Sequence, residues 1–125
     1  MPSIRTDKQI FPFFDSVKSP LTAAGTSESF HNSGFSTMIL EIANATAISA
    51  KVEACVNILK PNGEAMTDNE CEWTQLAVIG MSDYAVSDSI SDNGIYAIGI
   101  NGTARVRVVV ESVSGSAVIT GVAEA

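Results

Sequence analysis

Positive charge is scarce in this chain. Lys and Arg together number 7 against 14 Asp and Glu, so the net charge is -7 over 125 residues. This balance repels a phosphate backbone and leaves no basic cluster to release counterions, which argues against direct nucleic-acid binding. The chain also lacks the apolar run of roughly eighteen residues that a membrane span requires. We therefore expect neither a nucleic acid nor a membrane as a partner.

The start of the chain predicts no secretory signal. Charged residues interrupt the first twenty positions, so no continuous apolar segment forms there; they are Asp7, Lys8, Asp15 and Lys18. Synthesis in a cytoplasm is the simplest interpretation.

Cysteine is nearly absent. Cys55 and Cys71 are too few for a disulfide framework and lack the paired spacing of a zinc site, so we expect free thiols. Cys55 shares a strand face with Lys51 and Glu53 in the alternating pattern, which would leave it partly exposed. A bridge between the two cysteines stays open if their strands pair.

Groups that carry catalysis are equally sparse. The single histidine, His31, lies in an Asn/Ser/Gly turn, and no partner for general base catalysis is evident. Asp68, Glu70 and Glu72 alternate toward one side, but the EF-hand pattern is absent and a solvated acidic edge is the simpler interpretation. We expect no enzyme, no catalytic residue, no cofactor and no metal.

What the chain does have is period-two alternation. Between residues 104 and 111 the even positions are small or β-branched, whereas Arg105 and Arg107 share the other face with Glu111. Asn101-Gly102 predicts a type I′ hairpin before this run, and Ser114-Gly115 predicts a hairpin after it. One face of such a strand belongs to a core and the other meets water or a partner.

Turn signals separate about eight candidate strands at intervals of roughly eight to twelve residues, with 82–91 readable as strand or loop. The runs are 22–30, 35–42, 48–59, 73–79, 82–91, 95–100, 104–111 and 117–123. This spacing predicts an all-β fold, an antiparallel β-sandwich or jelly roll over residues 21–125. The expected core residues are Trp73, Tyr96, Val106, Val108, Val110 and Val118.

Residues 1–20 differ from the rest and predict an extended N-terminal arm. Prolines stand at positions 2, 12 and 20, and no sustained period is present. The arm carries Phe11, Phe13 and Phe14, whose burial stabilises by roughly 1.5–3 kcal/mol each. They either fold back on their own domain or dock onto a neighbouring subunit, and we expect docking.

Arg105 and Arg107 are the second candidate interface. They lie two apart on one strand face, so they either pair across the sheet with carboxylates such as Glu53 or Glu41, or hold an acidic neighbouring subunit. Both interpretations remain open at this stage. Trp73 could stack on a sugar, but one Trp and two Tyr make a poor sugar platform, and packing is the expected role.

Five pieces of the chain, taken in order, resemble small structural proteins of tailed bacteriophage virions. They are Glu72-Trp73-Thr74-Gln75-Leu76, Gly94-Ile95-Tyr96, Arg105-Val106-Arg107-Val108, Ser114-Gly115 and Ala117-Val118-Ile119-Thr120, within residues 35–123. The usual Ser-x-Asp-Gly turn before the tryptophan is replaced by Asp68-Asn69-Glu70-Cys71, so any ligand of that turn is not carried over.

The resemblance implies a non-enzymatic virion protein. The favoured member of that class is a head decoration or cement protein that binds the major capsid protein and stabilises the head as a homo-oligomer, with a trimer expected. A head-fibre or tail-associated module is the alternative within the class. A host-surface carbohydrate-binding β-sandwich is the alternative from another class.

Overall fold

The computed structural model describes residues 8–14 and 21–125. Residues 1–7 and 15–20 of the predicted arm lie outside the described residues. Within the described ranges nine antiparallel strands form one sheet, and the one helix is a short 3₁₀ turn at Asp68–Glu70. The predicted all-β antiparallel class is confirmed.

The strands differ greatly in length. They are β1 (Lys8–Phe14), β2 (Gly25–Thr26), β3 (Phe30–His31), β4 (Thr37–Cys55), β5 (Thr74–Leu76), β6 (Val78–Gly80), β7 (Val86–Ser87), β8 (Gly94–Gly99) and β9 (Arg105–Glu124). The candidate runs 22–30 and 82–91 therefore contain only two-residue strands.

Two long strands, β4 and β9, span the whole domain and pair with each other along their length. The predicted separation of the runs 35–42 and 48–59 and the predicted Ser114-Gly115 hairpin are both wrong, because β-bulges absorb the intervening residues while each strand continues. Asn44 has φ 68° and Gly115 has φ 79°. A Cβ on Gly115 would lie 2.8 Å from Thr46 Oγ1, so the facing bulges require glycine there.

The bulges divide the sheet into two half-sheets that share β4 and β9. The first half-sheet has the order β1, the second half of β9, the first half of β4, β8, β6 and β7. The second half-sheet sets β2 and β3 beside the first half of β9, followed by the second half of β4 and β5. Their inner faces contribute to one hydrophobic core, which makes the fold sandwich-like.

The residues of β9 that face the core have even numbers in the first part of the strand and odd numbers in the second part. Val106, Val108 and Val110 are buried before the bulge, and Ala117 and Ile119 after it. Val118 is half-buried on the opposite face, so its expected core position is wrong. The irregular pairing between residues 110 and 118 moves the core-facing positions from even to odd numbers.

The Asn101-Gly102 turn does not close a hairpin. Thr103 N–H donates to Ile100 O at 3.0 Å and Gly102 has φ 82°, but the φ of Asn101 is not positive as a type I′ turn requires. The strands on either side of the turn, β8 and β9, both pair with β4 instead of with each other. The hairpin prediction is therefore wrong.

Strand β1 is an edge strand of its own domain, paired with the last residues of β9. Phe13 is buried in the core, and the Phe11 ring lies 4.9 Å from Phe13 and 5.6 Å from Phe30 between centroids. Phe14 packs partly buried against the same core. The expectation that these phenylalanines dock onto another subunit is corrected, because their own chain already covers them.

Candidate functional site

An apolar row crosses the outer face of the first half-sheet, the face opposite the core. The strand register places one residue from each of six strands side by side in this row. In order across the sheet they are Val86, Ile79, Ala97, Ile39, Val122 and Ile10. At about 4.8 Å between strands, the row is about 24 Å long.

The row is exposed, most of all at its two ends. Val86 is 69% and Ile10 is 68% exposed, and Ile79 is 38% exposed, whereas the three middle residues are half-buried by their neighbours. A sheet that packs one face against the core normally exposes polar side chains to water on its other face. An apolar row on that face is typical of a surface covered by another molecule.

Flanking residues extend the apolar character of this face. Ile95, opposite Glu41 in the next row, is 48% exposed, and Met81 beside it is 41% exposed. At the β1 edge a salt bridge of 3.5 Å joins Lys8 and Glu124. The face therefore has an uncharged centre with few charges at its rim.

The outer face of the second half-sheet is polar and is covered by its own chain. Arg107 lies opposite Glu53 and donates to Glu53 Oε1 from Nε at 2.9 Å and from Nη2 at 2.8 Å. Its guanidinium carbon lies 4.0 Å from the centroid of the Trp73 ring. Arg107 thus makes the cross-strand pair that the sequence offered as one interpretation.

Arg105 is buried, contrary to its expected place on an open strand face. Its Nη1 donates to Asp68 Oδ1 at 3.0 Å and to Cys71 Sγ at 3.5 Å, while its Nε is buried without a hydrogen-bond partner. Residues 67–73 fold over this part of the sheet, which explains the burial. Trp73 belongs to this covering segment, donating from Nε1 to Asp68 O at 2.8 Å, and is half-buried outside the main core.

The alternating acidic residues do not converge on a cation. Asp68 is bonded to Arg105 and Ser29, and Glu70 accepts from Thr67 and pairs with Lys60 at 3.0 Å. The Thr67 N–H, followed by Lys60, lowers the pKa of Glu70 to about 2. Across residues 8–14 and 21–125 no group of three or more His, Cys, Asp or Glu is placed to hold a metal ion.

His31 lies at an open cleft of about 410 Å³ next to Arg105. The remaining lining residues are Glu28, Ser29, Met66, Thr67 and Asp68. The Asp68 carboxylate is already used by Arg105 and Ser29, so it is not free to orient His31 for base catalysis.

A larger cleft of about 590 Å³ lies beside β6 and β8. Tyr96 lines it, and its hydroxyl donates to Asp92 O at 2.7 Å; burial raises the Tyr96 pKa. Tyr84 is exposed in the turn between β6 and β7, and neither it nor Trp73 lines this cleft. The convergent aromatic platform that a sugar binder would present is absent from the part of the chain that the structure describes.

Both cysteines are free and buried, so the partial exposure expected for Cys55 is wrong. Burial, followed by a hydrogen bond with Cys71, raises the pKa of the Cys55 thiol to about 11.

Among the described residues, no helix approaches the length and apolarity needed to cross a membrane.

Comparisons with known proteins identify the fold. No family model matches the chain, and no curated protein matches it. The SPBc2 prophage-derived protein YomS superposes with a TM-score of 0.75 at 23% identity, over 98% of this chain and 96% of that one. The PBSX exported protein XepA superposes with a TM-score of 0.72 at 14% identity, over 97% of this chain.

These two similarities establish a shared β fold. The superposition spans 39% of the XepA chain. At these identities the likeness concerns architecture alone.

The apolar row was the feature that sequence reasoning missed. The only signal in the sequence was that both faces of the 35–42 run are apolar, with Ile39 opposite Met38 and Leu40. Linking Ile39 to residues of five other strands requires the register, which local alternation does not contain.

Proposed function

We propose that this protein is a non-enzymatic structural protein of a bacteriophage virion. Within that class we propose a head decoration or cement protein that assembles as a homo-oligomer, with a trimer as the expected form, and that binds the major capsid protein. The apolar row across the outer face is the observation that carries this proposal.

The row supports an assembly role because its exposed apolar side chains would gain free energy if another molecule covered them. Val86 and Ile10 are each about two-thirds exposed, and covering side chains of this size stabilises by roughly 1–2 kcal/mol each. Six aligned apolar residues of a rigid sheet offer such a gain without ordering any loop. A subunit built in this way is suited to adding contact area between neighbours.

The phage association rests on two further observations. One is the ordered sequence resemblance to phage structural proteins within residues 35–123. The other is the fold shared with a protein that is described as prophage-derived. The carbohydrate-binding alternative has less support, because Trp73, Tyr84 and Tyr96 do not line one cleft.

The composition of purified particles tests this function. Particles of the phage that encodes the chain are purified by density gradient, heads and tails are separated, and each fraction is analysed by quantitative mass spectrometry. We expect the protein in the head fraction at a fixed ratio to the major capsid protein. Its presence in the tail fraction alone would replace decoration by the tail-associated alternative, and its absence from particles would refute the virion proposal.

A further inference from the structure

Cys55 and Cys71 lie on the two layers that meet at the outer face of the second half-sheet. Cys55 is the last residue of β4 and is paired in register with Arg105 of β9. Cys71 directly follows the 3₁₀ turn of the covering segment, and its Sγ accepts a hydrogen bond from Arg105 Nη1 at 3.5 Å. Both cysteines therefore contact the same arginine, one from the sheet and one from the cover.

Burial, followed by interaction with the Cys71 side chain, raises the pKa of the Cys55 thiol. Neither cysteine contributes to the apolar row, and both are enclosed, at 2% exposure for Cys55 and 9% for Cys71. Both cysteines therefore lie in the enclosed region around Arg105, away from the surface proposed for assembly.

We propose that Cys55 and Cys71 are a modification site: they form an intramolecular disulfide that ties the covering segment to the sheet when the protein meets a low-molecular-weight disulfide. This inference does not depend on the proposed virion function. The reduced pair seen in the structure is the state before the reaction.

The reaction is thiol–disulfide exchange in two steps. The Cys71 thiolate, on the more exposed residue, attacks one sulfur of the small disulfide, so that a mixed disulfide forms and one thiolate leaves. The Cys55 thiol then gives its proton to the small thiolate already released and attacks the Cys71 sulfur. This expels the second small thiolate, which takes up the proton first lost by Cys71. Two protein thiols are oxidised and one small disulfide is reduced to two thiols.

The bond would close a loop that contains residues 56–70. Closing a loop of this length limits the unfolded chain and raises stability. The segment 67–73 covers Arg105 and accepts hydrogen bonds from Arg105 and Trp73 at Asp68. The disulfide would then attach this segment covalently to β4.

The test uses the full reduced chain incubated with oxidised glutathione. After denaturation in acid, we expect an intact mass lower by about 2 Da, the loss of two hydrogen atoms, and no titratable thiol. The oxidised protein should run as a single chain on a non-reducing gel, and its thermal midpoint should rise by roughly 5–15 °C and return on addition of dithiothreitol.

A matched variant controls for unspecific oxidation. Cys71→Ser has one thiol left and should show neither the mass loss nor the higher midpoint. Two thiols that survive oxidation, glutathione adducts on both residues, or disulfide-linked dimers would each overturn the proposal. A disulfide that forms but leaves the thermal midpoint unchanged would contradict the proposal that it stabilises the covering segment against the sheet.

Discussion

Replacing Phe13 with alanine tests whether β1 belongs to the core of its own domain. Phe13 is 6% exposed, and its ring makes an edge-on contact with Phe11 at 4.9 Å. Phe→Ala substitutions in cores cost about 3–5 kcal/mol, and an edge strand can relax, so we expect about 3 kcal/mol. With a urea m-value of about 1.5–2 kcal/mol/M, the midpoint should fall by roughly 1.5–2 M.

The control on the same strand is Gln9→Ala, which removes an exposed side chain and should change the unfolding free energy by less than about 0.5 kcal/mol. A similarly small effect of Phe13→Ala would refute the reasoning, because it would mean that the ring stabilises contacts outside its own chain.

Gly121 supplies a second check on the same packing. A Cβ at position 121 would lie 2.7 Å from Phe13 Cε2 and 3.0 Å from Met38 Sδ, so Gly121→Ala should destabilise the protein. In the Phe13→Ala background the added methyl group has room. The double variant should therefore be more stable than the sum of the single effects by about 1 kcal/mol or more, and strict additivity would contradict the observed contact.

Three further predictions concern the bulge and the polar outer face. Asn93→Ala should cost about 1–3 kcal/mol in chemical denaturation, because the Asn93 amide accepts from Ala45 N–H at 3.1 Å and donates to Ala45 O at 2.8 Å within the β4 bulge. Arg107→Ala should change the fluorescence emission of the single tryptophan, Trp73, and lower stability by about 1–2 kcal/mol, whereas an unchanged spectrum would argue against the stacking. Because the folded pKa of the Cys55 thiol is raised to about 11, its contribution to stability should be fully present below the unfolded value near 9 and be lost as pH rises through 11. Urea midpoints between pH 8 and 11 measure this loss, and Cys55→Ala should flatten it.

The fold class was predictable from the sequence because alternation is a local property. Val106, Val108 and Val110 show it directly, and their burial follows. The connectivity was not predictable in the same way. Ser114-Gly115 has the residues of a hairpin turn, but opposite Thr46 it forms a bulge inside a continuous strand. Only the pairing partner distinguishes these two outcomes.

Side-chain roles were likewise predictable where they depend on local alternation and not where they depend on distant segments. The pairing of Arg107 with Glu53 was among the interpretations available from alternation, because both residues fall on the polar face. The burial of Arg105 depends on the segment 67–73, which crosses the sheet without any period of its own. The phenylalanines of β1 were assigned to a partner because proline-rich ends rarely join a core, yet here the edge of β9 accepts them.

The most direct test of the central claim is the mass of the full chain in solution by light scattering, with two valine variants as a matched pair. Val86 is 69% exposed at one end of the apolar row, and Val56 is 71% exposed just after β4 and outside the row. We predict an oligomer, a trimer as the expected form, that dissociates toward monomer when Val86→Ser is combined with Ile10→Ser and stays intact with Val56→Ser. A monomeric wild type, or an oligomer equally insensitive to all these changes, would contradict the assembly role of the row.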